Sequence, residues 1–172
     1  MSIALGSFIL FLLGIVAFQD FKTRSVYWFV FPLLFISAVL FNYEEYCSLL
    51  VKEFLFNQFF VIFQFALISI YFALKHKKMV NITHSYIGWG DILFLLSIAP
   101  LFCLSNYIIF YVFSLLFALI FYYIYFIFSN SPGSIPLAGL QALFLICILL
   151  MVKFSGKAAM LQSDFLLQWL FK

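Results

Sequence analysis

Residues 107–128 read YIIFYVFSLLFALIFYYIYFIF, an apolar run that contains no charged side chain. A helix of about twenty consecutive apolar residues crosses the hydrocarbon core of a bilayer, so this run predicts a membrane-spanning helix. The whole chain has the same character, because 67% of its 172 residues are hydrophobic and only 9% are charged. Soluble domains are roughly half apolar and a quarter charged. We therefore expect lipid, and not water, to cover most of the exterior.

Five further apolar runs flank this one and predict helices at 2–18, 26–41, 54–74, 91–104 and 136–152. Short polar breaks separate the runs, which makes successive helices antiparallel. Gln64 and Gln141 lie inside predicted spans, where we expect them to hydrogen-bond to neighbouring helices. The sequence thus predicts an all-α, polytopic integral membrane protein of about six transmembrane helices. Residues 1–153 form its single domain, and residues 154–172 form an interfacial or solvated tail.

The charges orient the predicted spans. Basic residues occupy the first and third polar breaks, whereas acidic residues dominate the second. Because basic loops of membrane proteins stay in the cytoplasm, the odd-numbered breaks are predicted to face inward. The expected location is the cytoplasmic membrane, with the N-terminus outside.

Two of the six carboxylates differ from the rest in their position. Asp20 closes the first apolar run and Asp91 opens the fourth, whereas the other four lie in polar segments, where solvation is expected: Glu44, Glu45, Glu53 and Asp164. Counting chain reversals puts both aspartates on the cytoplasmic side. Ionisable groups at membrane depth are costly and point to function.

A pair of aspartates has a specific chemical use. Two carboxyl groups held close together cannot both ionise cheaply, so one keeps its proton. The ionised member can then take a proton from an attacking water, while the protonated member donates to the developing oxyanion. The structural alternative is that Asp91 favours a helix start through the helix dipole and that Asp20 pairs with Lys22 or Arg24.

The residues before Asp91 favour the catalytic interpretation. Residues 88–91 read GWGD, so Gly88 and Gly90 remove two side chains just before the carboxylate. Glycine lets another backbone approach closely. A carboxylate pair that admits a peptide strand needs such clearance.

Three segments resemble motifs of one family. Residues 20–28 (DFKTRSVYW) are similar to the first aspartate motif of type IV prepilin peptidases and archaeal preflagellin peptidases, and GWGD resembles their GxGD motif. Residues 135–139 (IPLAG) are similar to the family's Ile-Pro segment. The resemblance implies that Asp20 and Asp91 form a catalytic dyad. It also implies a pilin-like precursor as substrate, whose short basic leader is cut at the cytoplasmic face.

The sequence also departs from the family pattern. Tyr27 stands where the family usually has Pro, and Leu93 stands where it often has Lys. The cytoplasmic insertion with paired CxxC motifs that bifunctional members carry is missing from the sequence, so the resemblance implies cleavage without N-methylation.

Other partners and ligands follow from the same residues. Lys22, Arg24 and His84 are candidate contacts for substrate or lipid, with a solvated loop as the alternative for His84. We expect no cofactor and no nucleic-acid partner. We also expect no metal site, because the three cysteines stand apart in apolar or boundary contexts. The lipid bilayer is an expected partner, and self-association into a homo-oligomer is left open.

Three alternatives remain at this level. The first is a non-enzymatic membrane protein, such as the solute-binding subunit of an uptake transporter, with polar groups around a mid-membrane or outward cavity. The second is a GxGD protease of the presenilin or signal-peptide-peptidase kind, whose first aspartate normally follows Tyr; Gln19 precedes Asp20 here. The third is a degenerate family member that binds leaders without cutting them.

Overall fold

The computed structural model describes residues 2–45, 50–76, 88–128 and 135–154. Within these ranges the regular structure is entirely helical, which confirms the predicted all-α class for the described part of the chain. The helices are α1 (Ser2–Thr23), α2 (Val30–Glu45), α3 (Leu50–His76), α4 (Trp89–Ile98), α5 (Leu104–Phe128) and α6 (Leu137–Phe154), with a 3₁₀ turn (Ala99–Leu101) continuing α4. The predicted tail lies outside the described residues, apart from Phe154 at the end of α6.

Three helices of the described segments are long and apolar enough to cross a membrane. Their apolar stretches are Ala4–Thr23, Lys52–Lys75 and Leu104–Phe128. The other three helices contain shorter apolar stretches, Val30–Asn42, Trp89–Leu101 and Leu137–Lys153. Large apolar side chains cover the outside of the bundle; Leu74 is 75% exposed and Phe128 is 86% exposed. Such a surface suits lipid and indicates a membrane protein.

Several predicted boundaries are wrong. The polar break expected at residues 42–53 is helical at 42–45 and at 50–53, and two further differences bear on Asp20 and Glu53. The polar break expected after residue 18 is helical through Thr23, so Asp20 lies inside the last turn of α1. The break expected at residues 105–106 is also helical, because α5 begins at Leu104. Glu53 supports that start and is not the freely solvated group expected from sequence: its Oε2 accepts the Leu104 N–H at 2.9 Å. Hydropathy marks contact with lipid, whereas a helix continues for as long as its backbone groups find partners.

α1 packs against α6 and α2 through one face. That face carries five buried apolar side chains spaced three or four residues apart, and Asp20, 8% exposed, continues the same row. The five are Ile9, Leu12, Leu13, Val16 and Ala17. On the α6 side, Ala138, Gly139 and Ala142 are all buried and small, which allows the two backbones to approach closely. The helical period therefore carries Asp20 into the α1–α6 interface.

The helices alternate in direction, as predicted. Side chains at the C-terminus of α1 and the N-terminus of α4 both bond to the N-terminus of α6; we call this the aspartate end. At the opposite end, named the proline end after Pro100, residues late in α2 and early in α3 bond to the C-terminal part of α4. Gln64 donates to the Tyr111 hydroxyl at 2.7 Å and Gln141 to the Ser114 hydroxyl at 3.3 Å, which confirms the interhelical role predicted for both.

The proline end is held by side chains that donate to main-chain carbonyls. Pro100 lacks an N–H and interrupts the α-helical ladder at the end of α4, leaving carbonyl groups there that need donors. Four side chains from the neighbouring helices supply them. Asn42 bonds to Pro100 O, Asn57 to Ala99 O at 3.0 Å and Phe102 O at 2.8 Å, Gln58 to Leu96 O at 2.8 Å, and Tyr107 to Leu95 O at 2.9 Å.

Replacing Asn57 should destabilise this end of the bundle. Asn57 is fully buried and donates twice, so Asn57→Leu leaves two buried carbonyls without that donor, at a cost of about 1–3 kcal/mol. Denaturation in mixed micelles measures the change in the free energy of unfolding. Gln58→Leu, which removes one bond at a partly buried position, serves as the graded comparison. A loss for Asn57→Leu no larger than that for Gln58→Leu would contradict this account.

Candidate active site

Asp20 reaches the site because α1 remains helical for one turn past it. The Arg24 N–H donates to the Asp20 carbonyl at 3.0 Å, and Arg24 then adopts a left-handed conformation (φ 55°) that ends the helix. The Asp20 side chain turns into the bundle, and its Oδ2 accepts the Gly139 N–H at 2.6 Å. A short bond from a backbone N–H to a carboxylate is among the stronger hydrogen bonds in proteins.

Asp91 lies in the first turn of α4, after the cap residue Gly88. Its Oδ2 accepts the Gly88 N–H at 3.2 Å, and its own N–H donates back to the Gly88 carbonyl at 3.1 Å. The other oxygen, Oδ1, accepts the Ala138 N–H at 2.9 Å. The side chain therefore bridges the starts of α4 and α6.

Consecutive backbone amides of α6 thus hold the two carboxylates. Standard bond lengths limit the distance between the two accepting oxygens to at most about 10 Å, and the two aspartates are close enough to interact electrostatically. The amides are available because a helix start leaves its first N–H groups without helical partners. Pro136 has no N–H, and the Leu137 N–H bonds to Ile135 O at 3.0 Å. The next two amides belong to Ala138 and Gly139.

This geometry has a structural and a chemical consequence. Two carboxylates at a helix N-terminus are favoured by its dipole and by its free N–H groups. Helix capping alone can be met by one carboxylate: at the proline end, Glu53 is the carboxylate that accepts the first N–H of α5 among the described side chains. At the aspartate end, neighbouring amides bring together two acids from helices far apart in the sequence, within electrostatic reach of each other.

A side chain would be crowded at two glycine positions of the site. A Cβ atom on Gly139 would lie 3.1 Å from three atoms, the Cβ and Oδ2 of Asp20 and Cδ2 of Phe21. One on Gly88 would lie 3.1 Å from Asp91 Oδ2, whereas one on Gly90 would meet only the Phe31 ring at 3.9 Å. Within the GWGD segment a Cβ atom would therefore be crowded at Gly88 and would have ordinary space at Gly90. The clearance for a peptide strand expected at both glycines stays a prediction.

Ala138 and Gly139 were missed as site residues by sequence reasoning, although their segment was noted. Their contribution is a backbone N–H, which no side-chain pattern reveals. The available signal was the order Pro, Leu, Ala, Gly at the start of a predicted span, since Pro favours a helix start and small residues allow close approach.

The remaining predicted contacts have different positions. Lys22 is exposed, and its ammonium lies 5.5 Å from the centre of the Phe18 ring. Arg24 lines a cavity next to the aspartates. His84 lies outside the described residues.

In comparisons with protein-family models, curated proteins and solved structures, the chain has no match. The assignment of a function therefore rests on the residues and on the geometry described above.

Proposed function

We propose that this chain is a membrane-embedded aspartic endopeptidase that removes the short basic leader of pilin-like precursors at the cytoplasmic face of the membrane. Asp20 and Asp91 are its catalytic residues. It needs no cofactor, and it cleaves without methylating the new N-terminus.

One observation carries the proposal: Asp20 and Asp91 bind to consecutive amides, those of Gly139 and Ala138. The amides fix one oxygen of each carboxylate. The second oxygen of Asp20 accepts no hydrogen bond from the residues that the structure describes. The second oxygen of Asp91 accepts the Gly88 N–H at 3.2 Å. Fixed carboxylates that share a proton provide both a base and an acid without a costly rearrangement during the reaction.

The chemistry follows from one proton shared between two carboxyl groups. The ionised carboxylate accepts a proton from a water molecule as the water oxygen attacks the scissile carbonyl. The protonated carboxyl donates to the carbonyl oxygen as that oxygen becomes negative. Collapse of the tetrahedral intermediate breaks the C–N bond: the leaving nitrogen takes a proton from the protonated carboxyl, and the hydroxyl that becomes the new carbonyl gives its proton to the other carboxylate, which restores the singly protonated pair. The dyad titrates as a unit, and its two steps belong to both residues.

The proposed membrane arrangement has six spans, an outward N-terminus and the aspartate end in the cytoplasm. The aspartate end carries Lys22, Arg24 and Lys75, in agreement with the preference of basic residues for the cytoplasmic side. Two exposed tryptophans at the same end, Trp28 (74%) and Trp89 (61%), suit the membrane–water interface. Both features support an active site near the inner surface of the bilayer.

The test uses the full chain reconstituted in lipid vesicles with a precursor that carries a short basic leader before an apolar stem. Mass spectrometry of the products should show release of the leader by cleavage of one peptide bond. An intact precursor in the presence of folded protein would contradict the proposal. Saturable uptake of a small solute would instead favour the transporter alternative.

The two glycines of the GWGD segment should respond differently to substitution. Gly88→Ala places a methyl group 3.1 Å from Asp91 Oδ2 and should lower the rate of leader removal about tenfold, since small displacements of a catalytic group are costly. Gly90→Ala finds only the Phe31 ring at 3.9 Å and is expected to retain the wild-type rate. Initial rates on the same precursor measure both. Equal losses for the two variants would contradict the local geometry described for Gly88.

A further inference from the structure

A cavity of about 140 Å³ lies beside the aspartates, between the end of α1, the C-terminal part of α5 and the start of α6. Four aromatic rings contribute to its wall, together with Pro136 and the side chain of Arg24. The rings are those of Phe21, Phe121, Tyr122 and Tyr125. Phe21 and Phe121 meet edge to face, with ring centres 6.1 Å apart.

The cavity adjoins the proposed catalytic pair on two sides. Phe21 directly follows Asp20, and Phe21 Cδ2 and Asp20 Oδ2 each lie 3.1 Å from the position that a Cβ atom on residue 139 would take. Arg24 lies one turn further along α1 and is close enough to Asp20 to interact with its charge. Pro136 stands two residues before Ala138, whose amide binds Asp91. The cavity therefore lies next to the Asp20 side of the proposed catalytic pair, although neither carboxylate lines it.

We propose that the cavity receives one apolar side chain of the substrate, from a residue that flanks the scissile bond, and that Arg24 excludes basic side chains from it. This inference rests on the proposed function. A cavity of about 150 Å³ in another protein binds benzene, so this one has room for the side chain of Leu or Phe. An alanine side chain would leave most of it empty, and an unfilled apolar cavity forgoes packing contacts.

The charge of Arg24 decides which large side chains are rejected. A lysine or arginine side chain in the cavity would bring a second positive charge next to the guanidinium. Like charges repel, so the site would disfavour these side chains. The basic residues of a leader would then have to bind elsewhere, which would fix the position at which the chain is cut.

The first test varies the residues immediately before and after the cut, one at a time, as Ala, Leu, Phe or Lys. At one of these positions Leu or Phe should raise kcat/KM at least about tenfold over Ala, the usual selectivity of an apolar pocket, and Lys should fall below Ala. Arg24→Asn removes the charge and tolerates the left-handed backbone, so it should raise kcat/KM for the Lys precursor about tenfold. Lys22→Asn, which removes an equal charge outside the cavity, should not. A selectivity profile that is flat, or that Arg24→Asn leaves unchanged, would overturn the inference.

The second test does not depend on cleavage. Tyr125→Cys is combined with Asp91→Asn in a chain whose Cys47, Cys103 and Cys147 are replaced by Ala, and the precursor carries one cysteine at the selective position. Oxidation should form a disulfide with this variant but not with the Tyr123→Cys control, whose position on the same helix is 64% exposed and outside the cavity wall. If the variant cross-links at residue 125 but the chain with both aspartates does not cleave the precursor, the proposed function is wrong and the binding site stands. If the chain cleaves the precursor but the variant does not cross-link at residue 125, the proposed function stands and the cavity is not the binding site.

Discussion

Asp20→Asn and Asp91→Asn should each abolish leader removal while leaving the fold intact. An asparagine caps a helix about as well as an aspartate, so its side-chain oxygen can still accept the N–H of Gly139 or Ala138. At residue 91 the amide nitrogen then faces the Gly88 N–H, and the longer of the two bonds of Asp91, at 3.2 Å, is lost. It cannot take or give the proton that peptide hydrolysis requires. We expect the rate to fall by at least about a thousandfold in either variant, and to fall little further in the double variant, because residues that act as a unit are not additive.

Glu53→Gln is the matched control for this experiment. Glu53 also accepts the first free N–H of a helix, that of Leu104 at 2.9 Å, but it lies at the proline end, away from the two aspartates. Its substitution removes the same charge from the same kind of contact and should leave the rate unchanged. Processing that survives both aspartate substitutions would show that the two carboxylates are only helix caps. Loss of activity in all three variants would point to general destabilisation.

Helix capping and catalysis require different properties of the two aspartate side chains. As a cap, Asp20 needs one acceptor oxygen, which asparagine supplies. Asp91 accepts two N–H groups, and asparagine can keep the bond to Ala138 while it loses the bond to Gly88. As a dyad they need a transferable proton between them. The helix-capping geometry makes the experiment sharper, because it lets asparagine preserve the structure while removing the chemistry.

Hydropathy predicted the six helical segments because lipid contact requires long apolar runs, and each run coincides with one described helix. Hydropathy did not predict the helix ends, because single hydrogen bonds determine where a helix begins and ends. The Arg24 N–H to the Asp20 carbonyl and the Leu104 N–H to Glu53 are such bonds. It also does not show that α2, α4 and α6 cross the membrane, since their apolar stretches are short.

The candidate site was predictable in part. Chain reversals place Asp20 and Asp91 at one end of the bundle, and in the structure both contact the start of α6. The amide pair that holds them could not be predicted, since it depends on the close approach of two helices that lie at opposite ends of the described chain. The cavity was equally hidden, because three separate segments form its wall.

Gly139→Ala should reduce the rate of leader removal by about 10- to 100-fold without unfolding the protein. The added methyl group would lie 3.1 Å from the Cβ and Oδ2 of Asp20, so the carboxylate has to move by a few tenths of an ångström or the two helices have to separate. A displacement of about 1 Å in a catalytic group can cost about a hundredfold. The loss should appear in kcat, because the substituted position contacts the catalytic side chain.

Gly14→Ala is the control, since a Cβ there meets no atom within 4 Å. Alanine is a better helix former than glycine by about 0.5–1 kcal/mol, so Gly14→Ala should unfold at equal or higher denaturant and cleave normally. At residue 139 the same gain in helix propensity offsets part of the steric cost. We therefore expect Gly139→Ala to unfold at nearly the wild-type denaturant concentration but to have a low kcat. If Gly139→Ala instead cleaves at the wild-type rate, the amide of Gly139 does not hold Asp20 in its working position, and the catalytic geometry proposed for this end of the bundle is wrong.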